Sequence, residues 1–139
     1  IVAWFGNGVG AFLVATLVHF CRFESKILER LQPIVDTKLA DSPLSLFIMG
    51  IICALFVSYA VLLGKKYSVG SFPQIFYVWL LTAFVFGGYD HIVANMYYLS
   101  AYGWAFGVQV MPFLKVLGIV TAGNVVGGLL IGSLEKKHL

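Results

Sequence analysis

Residues 71–99 read SFPQIFYVWLLTAFVFGGYDHIVANMYYL, and how this stretch is taken decides the fold. It is almost wholly apolar, yet too long and too interrupted for one plain helix. Pro73 stands near its start. Gly87-Gly88 splits it, and Asp90-His91 follow, leading into Ile92-Val93-Ala94-Asn95-Met96. In lipid, backbone outside a helix is tolerated only where protein or a water-filled cavity surrounds it. The pattern therefore predicts two half-helices. The second begins near Tyr89 and points its positive N-terminal end at mid-membrane depth. Asp90 then falls in its first turn, where a carboxylate suits the dipole or serves as a structural cap. Phe84, Gly88, His91 and Asn95 recur at i, i+4, i+7 and i+11, which is one helical face if the phase survives the break.

The rest of the chain frames that segment. Of its 139 residues, 60 % are hydrophobic and only 11 % charged, against about 25 % charged in soluble domains. Mean hydropathy is +0.95. This argues against a soluble enzyme, a nucleic-acid binder and a disordered chain together. A net charge of +3, spread along the chain, gives no nucleic-acid footprint. A spanning helix needs about 20 apolar residues. Runs free of Asp, Glu, Lys and Arg, interrupted at Asp90 and Lys115, predict spans at about 1–21, 43–64, 71–99 and 110–133, the third one broken. The expectation is a single all-α transmembrane domain over residues 1–139, embedded in the cell membrane. Ile1 stands inside an apolar run, which reads as a partial chain.

Residues 22–41 form the mixed-charge stretch between the first two spans. Phe23, Ile27, Leu28, Leu31 and Ile34 fall near helical spacing there, which predicts an amphipathic helix on the membrane surface, ended by Pro33. Lys65 and Lys66, with Lys136 and Lys137 of the tail, cluster at helix ends and are assigned to the cytoplasmic side. His19 is expected near the interface, and Lys115 is expected to snorkel.

An internal repeat is visible. Phe5-Gly6-Asn7-Gly8-Val9-Gly10 and Ala122-Gly123-Asn124-Val125-Val126-Gly127-Gly128 share a Gly-Asn followed by small residues four apart. Such faces let helix backbones approach closely in lipid. They also suggest equivalent helices in two related halves, running in opposite directions as an inverted repeat.

An ionisable side chain inside a membrane is costly and marks function by default. His91 is thus the first candidate for a permeation pathway, with Asp90 orienting it. Asn95 fits either that pathway or an interhelical hydrogen bond. Unperturbed imidazole titrates near about 6.5, so it can donate a proton at physiological pH. A narrow apolar path with one such donor suits a small monovalent weak-acid anion, which crosses apolar constrictions as its neutral acid because a bare ion there costs too much. His19, His91 and His138 are far apart and lack ligand partners, so neither metal nor cofactor is expected. Cys21 and Cys53 read as small buried hydrophobes. A structural or redox-complex membrane subunit is the alternative, and a haem site there would need histidines at matching depths on two helices.

The run Phe84-Val85-Phe86-Gly87-Gly88-Tyr89-Asp90-His91-Ile92-Val93-Ala94-Asn95-Met96 resembles the pattern F-V-x-x-G-[FY]-[ED]-H-x-x-A-N-M of the formate/nitrite transporter family. Gly123-Asn124-Val125-Val126-Gly127-Gly128 is similar to the family's last-helix G-N-x-x-G-G, and Gly6-Asn7-Gly8-Val9-Gly10 to its third-helix G-N-x-x-G. Gly50-Ile51-Ile52-Cys53-Ala54-Leu55-Phe56-Val57 resembles the fourth-helix G-I-L-C-N-x-x-V. The matches span nearly the whole chain but only the last four of the family's six helices. The resemblance implies an aquaporin-like inverted-repeat helical bundle, a homopentamer passing small monovalent anions. It implies His91 as central pore histidine and Asp90 as its acidic neighbour. Phe84 would help form the cytoplasmic constriction and Val57 the periplasmic one, with Lys38 near the outer vestibule. Ala54 departs from the pattern, replacing an asparagine and removing an amide from the pore region.

Overall fold

A computed structural model describes residues 1–66 and 72–135. The predicted tail residues Lys136, Lys137 and His138 lie outside the described residues. Among the described residues every regular element is helical: α1 (Val2–His19), α2 (Glu24–Ala40), α3 (Pro43–Lys66), α4 (Phe72–Phe86), α5 (Ile92–Phe106) and α6 (Val110–Glu135). α1, α3 and α6 are each long and apolar enough to cross a membrane. α4 and α5 have 15 residues each. At 1.5 Å per residue that is about 22 Å, short of the ~30 Å hydrocarbon core. The predicted broken span is therefore two half-helices. The second extends further than expected, to Phe106, so the connection to α6 shrinks to Gly107-Val108-Gln109. Gly107, at φ +92°, makes that reversal in a backbone region that favours glycine.

Local chemistry explains the boundaries. Asp41-Ser42-Pro43 starts α3. The Ser45 amide donates to Ser42 Oγ at 3.2 Å, and Ser45 Oγ donates to Asp41 Oδ2 at 2.7 Å. Proline at the first helical position removes an amide that would have had no helical partner. Lys65 and Lys66 form the last turn of α3, where cations suit the helix dipole. α2 does not end at Pro33 but runs through it to Ala40. An internal proline costs about 3 kcal/mol. Burial of Leu31, Val35 and Lys38 on one face of α2 offsets that cost.

The chain divides into two compact units, Ile1–Leu46 with Ile92–Ile119, and Phe47–His91 with Val120–Leu139. In the first unit α1 and α5 run the same way. Gly8 faces Met96, and Trp104 Nε1 donates to Thr16 Oγ1 at 3.0 Å. The three-residue turn then reverses α6, and the Tyr102 and Phe113 rings meet edge to face across it at 6.2 Å. α1 and α6 consequently run in opposite senses there. α2 lies against α5, its Asp36 Oδ1 accepting from the Tyr102 hydroxyl at 2.8 Å. Lys115 does not snorkel. Its ammonium is part-buried and donates to the carbonyls of Leu39 (2.8 Å) and Asp41 (3.0 Å), capping the end of α2. His19 pairs with Glu24 at 2.5 Å and stacks on Trp104.

In the second unit α3 and α6 meet backbone to backbone. A Cβ on Gly123 would stand 2.5 Å from the Phe47 carbonyl oxygen, and one on Gly127 would stand 2.5 Å from that of Ile51 and 2.8 Å from Ala54 Cβ. Gly50 and Ala54 on one helix thus face Gly123 and Gly127 on the other, each pair four residues apart. Without a hydrophobic force between helices in lipid, such close dispersion contact is what holds them. Large apolar side chains cover the exposed faces, including Phe5, Val9 and Leu17 of α1 and Phe76, Trp79 and Phe86 of α4. Such faces suit lipid or protein rather than water.

Candidate functional site

The site candidates Ala54, Val57, Phe84, Asp90 and His91 lie in the second unit, whereas Lys38 and Asn95 belong to the first. The link between α4 and α5 is Gly87-Gly88-Tyr89-Asp90-His91, none of it helical. α5 starts at Ile92, later than expected from sequence, so Asp90 precedes its first turn instead of occupying it. The helical phase does not survive the break, and Phe84, Gly88, His91 and Asn95 do not form one helical stripe. The cause is the pair of glycines. Gly88 adopts φ +64°, a left-handed conformation costing other residues about 1–2 kcal/mol. Gly87 is closely overlaid by the Tyr89 ring, whose nearest carbon would stand 2.5 Å from an added Cβ. The Gly87 amide still donates to the Ala83 carbonyl at 2.9 Å, closing α4.

The link is held from three sides. The Tyr89 ring lies against Phe56 of α3, centroids 5.4 Å apart. The His91 ring meets Phe84 of α4 edge to face at 5.9 Å. So Phe84 and His91 come together by the turn, although not by helical register. Asn124 of α6 supplies the third restraint. Its Nδ2 donates to the Gly50 carbonyl at 2.9 Å and to the Asp90 carbonyl at 2.8 Å. One amide group thereby ties α3, α6 and the link. Asp90 is only 2 % exposed, while His91 is half-buried. The imidazole is thus less buried than its acidic neighbour.

The remaining candidates take distinct places. Ala54, 7 % exposed, is part of the α3–α6 contact, facing Gly127. Val57 lines a groove of about 280 Å³ between α3 and α6, with Ser58, Lys65 and Gly128. Lys38, 8 % exposed, sits on the inner face of α2, and Asn95, 1 % exposed, one turn into α5. Sequence reasoning found Asn124 as half of a Gly-Asn repeat but did not name it as a site residue. The signal was present, because a lone amide inside an apolar span needs hydrogen-bond partners there. Its partners could not be read locally, since they are carbonyls 34 and 74 residues away.

A sequence profile described as formate/nitrite transporter matches residues 1–135. The chain is similar to an uncharacterised transporter of Saccharomyces cerevisiae, at 29 % identity over 100 % of this chain and 23 % of the yeast protein. It is also similar to a formate-nitrite transporter of Plasmodium knowlesi, at 29 % identity over 71 % of this chain and 34 % of that protein. The chain thus spans about a quarter to a third of the length of these relatives. With an all-helical build, apolar helices of spanning length and a match along almost its entire length, this integral membrane chain belongs to the formate/nitrite transporter family.

Proposed function

We propose that the chain forms the histidine-bearing part of a transmembrane pathway for a small monovalent weak-acid anion, such as formate, nitrite or hydrosulfide. One observation carries this reading. His91 sits half-buried on a non-helical link that is packed by Tyr89 on Phe56, by Phe84 and by the Asn124 amide. A side chain with that chemistry, restrained but not sealed, can attract an anion or hand it a proton. The neutral acid then passes apolar constrictions that a bare ion would cross only at high cost.

In this reading Asp90 orients the link, and Phe84 and Val57 narrow the path. Lys38 adds positive potential at the end of α2, and Asn95 supports the first turns of α5. The protein works as a homopentamer in the cell membrane and carries out no covalent chemistry. The test is flux of formate, nitrite and hydrosulfide into proteoliposomes, with the full-length protein and its His91→Ala variant, across the pH range in which imidazole titrates. Flux is expected to fall and to lose its dependence on pH. A variant with unchanged flux and unchanged pH profile refutes the proposal.

A further inference from the structure

The first unit carries a second feature that the anion pathway does not use. α2 and the tyrosine pair Tyr97-Tyr98 of α5 enclose a groove of about 440 Å³. Lys26 and Arg30 stand on its rim, four residues apart and therefore on one side of α2. Both are exposed, and among the described residues neither takes part in an ion pair. The groove wall is apolar. Leu31 is buried at its base, while Phe23 and Ile34 stay 47 % and 43 % exposed.

Neither half of this groove makes sense alone. A solvated basic face would leave Phe23 and Ile34 in water. A site for a free inorganic anion would have no use for an apolar wall of that size. A ligand with a negative head and a hydrocarbon body satisfies both at once. The setting agrees with such a ligand: an amphipathic helix lies in the plane of the membrane surface with its apolar side in the acyl boundary. Tyrosines are placed where one end is apolar and the other wet. Lysine and arginine close to a membrane surface attract anionic lipid head groups.

We infer that the groove between α2 and Tyr97-Tyr98 is a binding site for one anionic phospholipid. The phosphodiester is held by the Lys26 ammonium and the Arg30 guanidinium, and an acyl chain lies over Phe23 and Ile34. Guanidinium and ammonium both match phosphate oxygens, the first in a two-pronged geometry. The inference is independent of the anion pathway, because it uses no residue placed there.

The experiment is native mass spectrometry of the purified full-length protein with phosphatidylglycerol or phosphatidylcholine of identical acyl chains, with and without inorganic phosphate. The wild type is expected to retain phosphatidylglycerol in preference to phosphatidylcholine, and phosphate is expected not to displace it. The double variant Lys26→Gln with Arg30→Gln should bind phosphatidylglycerol roughly tenfold more weakly, with phosphatidylcholine unchanged. A charge-matched control, Lys65→Gln with Lys66→Gln, should keep the preference. Equal retention of the two lipids by the wild type overturns the inference. So does an equal loss in the control. Displacement by inorganic phosphate also overturns it, by revealing a free-anion site.

Discussion

Replacing Asn124 by leucine tests how the His91 link is positioned. The side chains are close in volume, so the change removes the amide and little else. The hydrogen bonds to the carbonyls of Gly50 (2.9 Å) and Asp90 (2.8 Å) disappear. They do not count equally. Gly50 lies inside α3, where its carbonyl also belongs to the helical ladder, so losing the amide there removes a second bond to an already engaged oxygen. The Asp90 carbonyl belongs to non-helical backbone, and the amide is a tertiary restraint upon it. Each such bond contributes about 0.5–1.5 kcal/mol net, and measured values between membrane helices lie near the lower figure. The pair thus contributes about 1–3 kcal/mol. If all of it acted on the population of the competent link, flux would fall roughly five- to a hundredfold, at 1.4 kcal/mol per tenfold. The lower part of that range is expected, because only the Asp90 bond bears on the link directly.

The assay is anion flux in proteoliposomes as a function of pH, alongside thermal unfolding in detergent. Asn124→Asp sharpens the comparison, since a carboxylate would aim acceptor oxygens at two carbonyl oxygens. It should be worse than leucine on both readouts. The reasoning is refuted if Asn124→Leu keeps wild-type flux and pH profile, or if it lowers unfolding temperature while flux per folded protein stays constant. Either result would mean that Asn124 holds helices together without placing His91.

Two further predictions concern the scaffold. Gly123→Ala places a methyl 2.5 Å from the Phe47 carbonyl oxygen and 3.1 Å from Gly50 Cα. Since both are backbone atoms, α3 and α6 must separate, and thermal unfolding should report a loss of about 1–3 kcal/mol. Lys115→Met removes the ammonium that caps α2 at Leu39 and Asp41. Bonds to a charged donor contribute about 1.5–3 kcal/mol, so this variant should lower the unfolding midpoint, with Lys115→Arg recovering part of the loss.

The amino-acid order alone determined that this is a helical membrane chain and that the apolar stretch 71–99 is interrupted at its paired glycines. These properties follow from neighbouring residues: runs of apolar side chains, a proline at a helix start, two consecutive glycines. Glycine at 88 permits a left-handed backbone whatever the rest of the chain does, so the break was visible, and with it the exceptional position of Asp90 and His91. Pro33 misled because its local cost was readable while the burial of Leu31, Val35 and Lys38 that outweighs it was not. For the same reason Lys115 looked like a surface lysine, although its ammonium reaches carbonyls more than 70 residues earlier. The three-dimensional arrangement decided which residues restrain the His91 link. Rings and amides find their partners through packing between helices distant in sequence, and no periodicity along the chain encodes that Asn124 reaches Asp90 or that Phe56 supports Tyr89.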